Sequence, residues 1–526
     1  MVPTPRSPRA LPPPSAETPQ SQVLPTDLPK ELLRGVALHI ALEGFAKHWR
    51  SGGGQDEMLE LSRPTPVLDA FVSHDWGTSR RAKYFTMLII YNSRVAFLVS
   101  GYVSVLSAIV SLSWTGRSPL GFFVTFVPYT PLTFYICLFF WQPIRACFAR
   151  PFLVFVDKMC ISQKDPSRKE AAIMGLAAFL LKSRRMIILW SPKYFQRLWC
   201  TYELGTFLQH QSADDPKELE IMPVALGVIL LELSIFTQGI TFCIYLGSAI
   251  IDHVFLLGLD LSYELFFAAI CVVLLFLQVP CSTLLKMMHD LEKLPDQLAQ
   301  FSMRDSQCFC CSVDHCRSET GEIILCDRQL VYSTIRSWFS ESNAEPLDAF
   351  DRNVRTKLKQ VVTSQLGSGH LPVPYFLYMT CAPFFLSLPW YMKDIIWPSD
   401  MWLMQQPSAS KDVLWRIGQA LELPSTGFVI VATILPLCQL VHLTCGRKCS
   451  WLASLFLVVL PVCAVAAAAS LITFPLTGYA KLVAQLCKLS VGIGILLTQS
   501  RLRRCCGKDC QGGIPKLRNQ PSSQRN

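Results

Sequence analysis

A multi-pass α-helical membrane protein of about eight spans, carrying a cytosolic α/β domain that helical hairpins interrupt, is the fold class this sequence predicts. Three observations predict it. Charged residues make up 16% of the 526-residue chain, against about 25% in soluble domains, and the mean hydropathy is +0.34. Uncharged runs of spanning length recur along the chain. Between the early runs, short β-branched and aromatic segments alternate with helix-period ones, the pattern of a parallel, flavodoxin-like sheet.

The same composition excludes other classes. Disorder would need low hydrophobicity and high charge, which most of this chain lacks. The charge balance, 48 − 38 = +10, is carried largely by residues flanking apolar runs, so it reads as membrane topology and not as a nucleic-acid footprint. The first 30 residues hold nine prolines and no apolar stretch of signal-peptide length. We expect residues 1–60 to be a disordered, Pro-rich leader and linker. The 21 cysteines follow no small secreted framework, so reduced thiols facing the cytosol are expected.

The spans are the stretches between successive charges that reach about 20 residues. Val95 to Trp114 and Ser118 to Ile144 form a first hairpin (95–144), with Arg117 at its tip. Gly227 to Ile250 and Glu264 to Leu285 form a second (227–285). Pro372 to Tyr391, Phe428 to Cys445, Trp451 to Pro475 and Tyr479 to Thr498 supply four more within 372–498. Arg80, Arg81, Lys83 and Arg94 precede the first span, and Arg145 and Arg150 follow the second, which places these flanks in the cytosol. By the same reasoning both termini are cytosolic, including the basic tail 499–526, where Cys505, Cys506 and Cys510 suit palmitoylation. Membrane lipid is therefore an expected partner.

The α/β domain is expected over 61–226, around the first hairpin. Val67–Ser73 (VLDAFVS) reads as a buried strand opening into the polar HDWGTS loop. Leu153–Val156 (LVFV) is a second strand, ending at Asp157. A helix follows over Lys169–Lys182, then a strand at Met186–Trp190 that Ser191-Pro192 breaks, a helix from Trp199 to His210, and a strand at Ile221–Leu226. Ligands of such sheets bind at the carboxyl ends of the strands. Residues 286–371 read as a cytosolic helical and Cys-rich segment. Within it, Glu322–Cys326 and the helical run Arg328–Phe339 are candidates to complete the α/β domain.

The succession DAFVSH, FVDKMCISQKD, SRRMIILWSPKYFQRLWCTYELGTF and IMPVAL resembles a Toll/interleukin-1 receptor (TIR) domain. The specific part is the block Ser191, Pro192, Tyr194, Trp199, Cys200, Glu203 and Leu204. The resemblance covers roughly 67–84 and 150–226. It departs from the family in two ways: two spans stand where one soluble helix usually follows the first strand, and no fifth strand follows Leu226. Enzymatic members cleave the nicotinamide–ribose bond of NAD+ with a Glu in the W-x-x-x-E portion of that block, and Glu203 occupies that position here. The resemblance thus implies Glu203 as the catalytic residue, NAD+ as substrate and no tightly bound cofactor. It also implies self-association, with Lys158–Arg168 matching the loop that closes over ligand or mediates assembly.

The chemistry agrees on independent grounds. Breaking an N-glycosidic bond develops positive charge on the ribose, which a nearby carboxylate stabilises. Trp199 and Glu203, at i and i+4, share a helix face, so an indole beside the carboxylate suits nicotinamide stacking. Ser73, His74, Asp75 and Trp76 after the first strand, and Asp157 after the second, are expected to border the same cleft. His74 stands where the family often carries a cation, which bears on phosphate binding.

A second constellation is Cys308, Cys310, Cys311, His315, Cys316 and Cys326. It holds enough soft ligands for tetrahedral zinc, but its spacing is not that of a familiar finger. The expectation is therefore no metal, with reduced or lipid-modified thiols. No P-loop, H-E-x-x-H, G-x-S-x-G or G-x-G-x-x-G pattern occurs in a suitable context. Taken together the residues predict a membrane-anchored NAD+ glycohydrolase. The competing readings are a TIR scaffold that signals by self-association, and a channel or transporter with a cytosolic regulatory domain.

Overall fold

The computed structural model describes residues 28–49, 55–114, 118–209 with short gaps between 163 and 174, 217–256, 277–316, 326–339, 344–366, 373–396 without 383–386, 413–445, and 455–509 with gaps between 463 and 477. One six-stranded sheet organises the first half. Its strands are β1 (Arg34–Ala37), β2 (Ser62–Pro64), β3 (Ala70–His74), β4 (Leu153–Phe155), β5 (Arg185–Trp190) and β6 (Glu218–Pro223), in the order β2-β1-β4-β3-β5-β6. The sheet is mixed: β4-β3-β5-β6 are parallel, whereas β1 pairs antiparallel with both β4 and β2.

Three expectations are corrected here. The sheet is not wholly parallel. The segment read as a disordered linker begins the fold instead, because Val36 and Ala37 pair with Val154 and Leu153 and cover the edge β4 would otherwise expose. The last parallel strand also ends at Pro223, three residues early. Pro223 closes the ladder with Trp190 and a helix starts at Val224. The proposed fifth strand at 322–325 lies outside the described residues.

β3 (AFVSH) is buried throughout, its apolar start in the core and its polar Ser73 and His74 at the carboxyl end. Helix α1 (Arg80–Ser111) leaves the loop after β3 and runs 32 residues without interruption. Its first half buries Tyr84, Met87 and Leu88 in the core. Its second half presents Leu98, Tyr102, Val105 and Ile109 outward along one face, as a lipid-facing stripe does. One helix thus covers the sheet with its first half and carries the exposed apolar stripe on its second, so the helix expected after the first strand and most of the first expected span belong to one element.

Helices α2 (Pro119–Phe126) and α3 (Tyr129–Ala146) return beside α1. Asn92 donates to the Leu138 carbonyl at 2.8 Å and accepts from Gln142 at 2.6 Å, an inter-helix bond of the kind apolar surroundings favour. α4 (Leu176–Leu181) and α5 (Leu198–Gln209) pack on the sheet, and α6 (Val224–Leu256) follows β6 directly. α6 crosses α1 closely at Gly227, where a Cβ would fall 2.6 Å from the Thr86 Cα. Only a residue without that atom permits the approach.

α7 (Asp327–Trp338) and α8 (Pro346–Leu366) pack on the outer side of α5, and α9 (Glu422–Cys445) lies further along the chain. Among the described residues, four helical stretches are long and apolar enough to cross a membrane: Arg80–Ser111, Pro119–Ala146, Val224–Ile251 and Ser425–His442. These overlap most of the first, second and sixth expected spans and contain the third. Of the others, residues 264–276 and most of 451–475 lie outside the described residues. The fifth is divided into Val373–Thr380 and Leu388–Ile396, and the eighth lies within a helix Gly478–Asp509.

Candidate functional site

The parallel strands place β4 on one side of β3 and β5 on the other, so the chain's direction of travel across the sheet reverses at β3. A crevice beyond the carboxyl ends of strands at such a point is where open α/β sheets bind ligands. Ser73 and His74 end β3 there, Ser191 follows β5, and Asp157 follows β4. α5 is anchored above them with Glu203 facing the sheet.

Glu203 is the centre of a buried network. Its side chain is 7% exposed, and Ser73 Oγ donates to Oε2 at 2.5 Å. Ser73 Oγ also lies 2.6 Å from the Tyr194 hydroxyl, which donates to the Cys200 carbonyl at 3.3 Å. Burial, reinforced by the charge of Asp157, raises Glu203 well above the usual glutamate range, and the Ser73 bond opposes this only in part. Burial likewise pushes Tyr194 and the Cys200 thiol well above their ordinary values. Each group in the network is driven towards its neutral form.

An aromatic and cationic cap covers this network. The His74 ring lies 4.7 Å from Trp49 and 4.5 Å from Trp76 between centroids. Its Nε2 is buried without a hydrogen-bond partner among the described residues. Burial, then the Lys83 charge, lowers His74 well below the usual histidine value, so it supplies no cation for a phosphate. Lys83 is 1% exposed, with Nζ 5.3 Å from the Trp76 ring and 5.8 Å from that of Trp49. Trp76 donates to Asp157 Oδ2 at 2.9 Å. Burial raises Asp157, opposed by that indole N–H, by the Lys158 backbone N–H and by Lys83.

Asp75 has a different task. It pairs with Arg197 Nε at 3.2 Å, and accepts from the Gly77 N–H at 3.0 Å and the Thr78 hydroxyl at 3.3 Å. These bonds fold the loop after β3 and tie it to the start of α5. Trp199 is directed away from the sheet: its Nε1 donates to Asp327 Oδ2 at 3.1 Å, and its ring meets Tyr202 edge-on at 6.0 Å. The structure therefore brings Glu203, Ser73, His74, Trp76 and Asp157 together, uses Asp75 as a loop staple, and engages the Trp199 indole with α7.

Sequence reasoning missed Trp49 and Lys83 as site residues. Trp49 lies in the presumed leader, and Lys83 counted only as a charge at the cytosolic flank. The thiol cluster is separate. The ligand atoms of Cys310, Cys311, His315 and Cys326 all lie within 4.8 Å of one another. Cys308 Sγ sits 3.1 Å from that of Cys310, while Cys316 is exposed.

Residues 156–232 match the family model of the TIR domain. This chain carries a TIR domain. The match spans Asp157, β5, α5, β6 and the opening of α6, and so includes Glu203 and the Ser191–Leu204 block. No curated protein matches the chain, and no solved structure does. The TIR domain places the chain generally among signalling and NAD-cleaving folds.

Proposed function

We propose that this is a membrane-anchored TIR protein that hydrolyses NAD+ at the nicotinamide–ribose bond, with Glu203 as its catalytic carboxylate. The observation that carries the reading is the Ser73-held carboxylate of Glu203 at the reversal point of the parallel sheet. In the reaction, the bond between ribose C1′ and the nicotinamide nitrogen breaks, and its electron pair leaves with nicotinamide. Ionised Glu203 stabilises the ribosyl cation, water adds to C1′, and the water's proton passes to solvent, giving ADP-ribose.

The cap of Trp49, Trp76 and Lys83 must part for NAD+ to enter. Opening also hydrates Glu203 and lowers its pKa towards the ordinary range, so access and ionisation come together. Self-association of TIR domains is the event proposed to open it. Both termini and this domain are proposed to lie on the cytosolic side, with the apolar helices in the bilayer.

One observation favours a non-enzymatic scaffold: the deep burial of Glu203 in a satisfied network. The deciding experiment is nicotinamide release by protein in nanodiscs at high density, wild type against Glu203→Ala. Release by the wild type alone supports the enzyme. Absence of release from both, with folding and self-association intact, supports the scaffold.

A further inference from the structure

We propose that Cys310, Cys311, His315 and Cys326 form a structural zinc site that fixes the outer face of α5. A tetrahedral zinc ion with Zn–S bonds of about 2.3 Å and Zn–N bonds of about 2.0 Å separates its ligands by about 3.8 Å between sulfurs and about 3.5 Å between sulfur and nitrogen. The observed separations are 4.0 Å for Cys310–Cys311, 3.9 Å for Cys311–Cys326 and 3.5 Å for Cys311 Sγ to His315 Nε2. The sulfur pairs are far too long for disulfides and lie at the edge lengths of a metal tetrahedron.

The chain is shaped to bring these ligands together. A turn of helix over Phe309–Ser312 presents two adjacent cysteines. Asp314 and His315 then adopt φ of 50° and 57°, left-handed values that residues other than glycine seldom take. That reversal turns His315 back on Cys311, and its N–H donates to the Cys310 carbonyl at 2.8 Å. Cys326 arrives from the start of α7, and the Asp327 N–H donates to Cys310 Sγ at 3.3 Å. Such an N–H to sulfur bond is the outer-shell support that metal-bound thiolates receive.

Three soft sulfurs and one imidazole, all within 4.8 Å of one another, select zinc over magnesium or calcium. On binding, the three thiols each release a proton to solvent as sulfur bonds the metal, and neutral His315 binds through Nε2. Cys308 stays outside the four, its Sγ in hydrogen-bond contact with that of Cys310 at 3.1 Å. The neighbouring residues give the site its purpose. Gln307 exchanges backbone bonds with Gln196 and Leu198 at the start of α5, and Asp327 receives the Trp199 indole. Zinc would lock together the two segments that hold the Glu203 helix from outside.

The test uses the full-length protein in detergent under reducing conditions, with metal measured by mass spectrometry. One zinc per chain is expected. Cys326→Ser and His315→Ala should each lower it, and Cys316→Ser should leave it unchanged. Thiol alkylation mapped by mass spectrometry serves if the variants fail to fold: in the wild type, Cys311 and Cys326 should be protected until a chelator is added, while Cys316 reacts throughout. Cobalt exchange should give intense tetrahedral and thiolate charge-transfer absorption. Folded wild type that takes up no zinc, or alkylation of Cys311 and Cys326 indifferent to chelator, overturns the proposal. So does a Cys308–Cys310 disulfide in place of metal.

Discussion

The two faces of α5 hold their polar groups in opposite ways. On the sheet side, Glu203 is desolvated and bonded to Ser73 beneath a cap of rings and one ammonium. On the outer side, Trp199 is half-buried and bonded to Asp327 beside partly exposed thiols. A buried carboxylate costs stability and makes sense where its charge is needed later, whereas a half-buried clamp costs little and fixes position. The difference teaches that residues one helical turn apart can divide chemistry from positioning.

Breaking the sheet side should have the largest effect. Glu203→Gln is expected to lower nicotinamide release about 10²–10³-fold while raising the melting temperature at neutral pH. The sign follows from its raised pKa. The folded state holds the Glu203 proton more tightly than the unfolded chain does, so stability is lost as pH rises from the ordinary glutamate value through the raised one. Glutamine removes that loss, and thermal unfolding across a pH series should show the wild type and variant diverging as pH rises.

Ser73→Ala removes the one side-chain donor that lowers the Glu203 pKa. Activity is expected to fall about 10-fold, as for loss of a hydrogen bond to a charged group, with the pH–rate profile moved to more alkaline values. Trp76→Ala frees Asp157 and opens the cap. Release at low protein density should then rise relative to wild type, because a larger fraction of molecules is competent.

The outer face should respond least. Trp199→Phe keeps a ring but loses the bond to Asp327, and about 1 kcal/mol of stability is expected to go with it. An unchanged KM would sharpen the division between the faces. A raised KM with unaltered unfolding would restore the nicotinamide-stacking role to Trp199.

What was legible in the sequence follows the same physical division. β3 and β5 were legible because buried parallel strands are continuous apolar runs, here closed by His74-Asp75 and Ser191-Pro192. β1 and β2 were not, since RGVA and SRP are too short to show any period, and Pro64 suits only an edge. Glu203 was legible from the W-x-x-x-E block it completes with Trp199, although the two side chains do not meet in one cleft. The direction of the indole was not, because its partner Asp327 lies 128 residues away. The site role of Lys83 was not legible, since a lysine beside an apolar run signals topology whether or not it also folds into a site.

α1 has a mechanical consequence. It starts one turn before Lys83 and ends at Ser111, unbroken; at 1.5 Å per residue, the stretch from Lys83 to Ser111 forms a rod about 42 Å long. A rod without a joint tilts as a whole. On the proposed placement of its far end in a bilayer, a change in lipid thickness or tension that rotates that end also shifts the ammonium set between Trp49 and Trp76, as a beam moves the latch fixed to its other end.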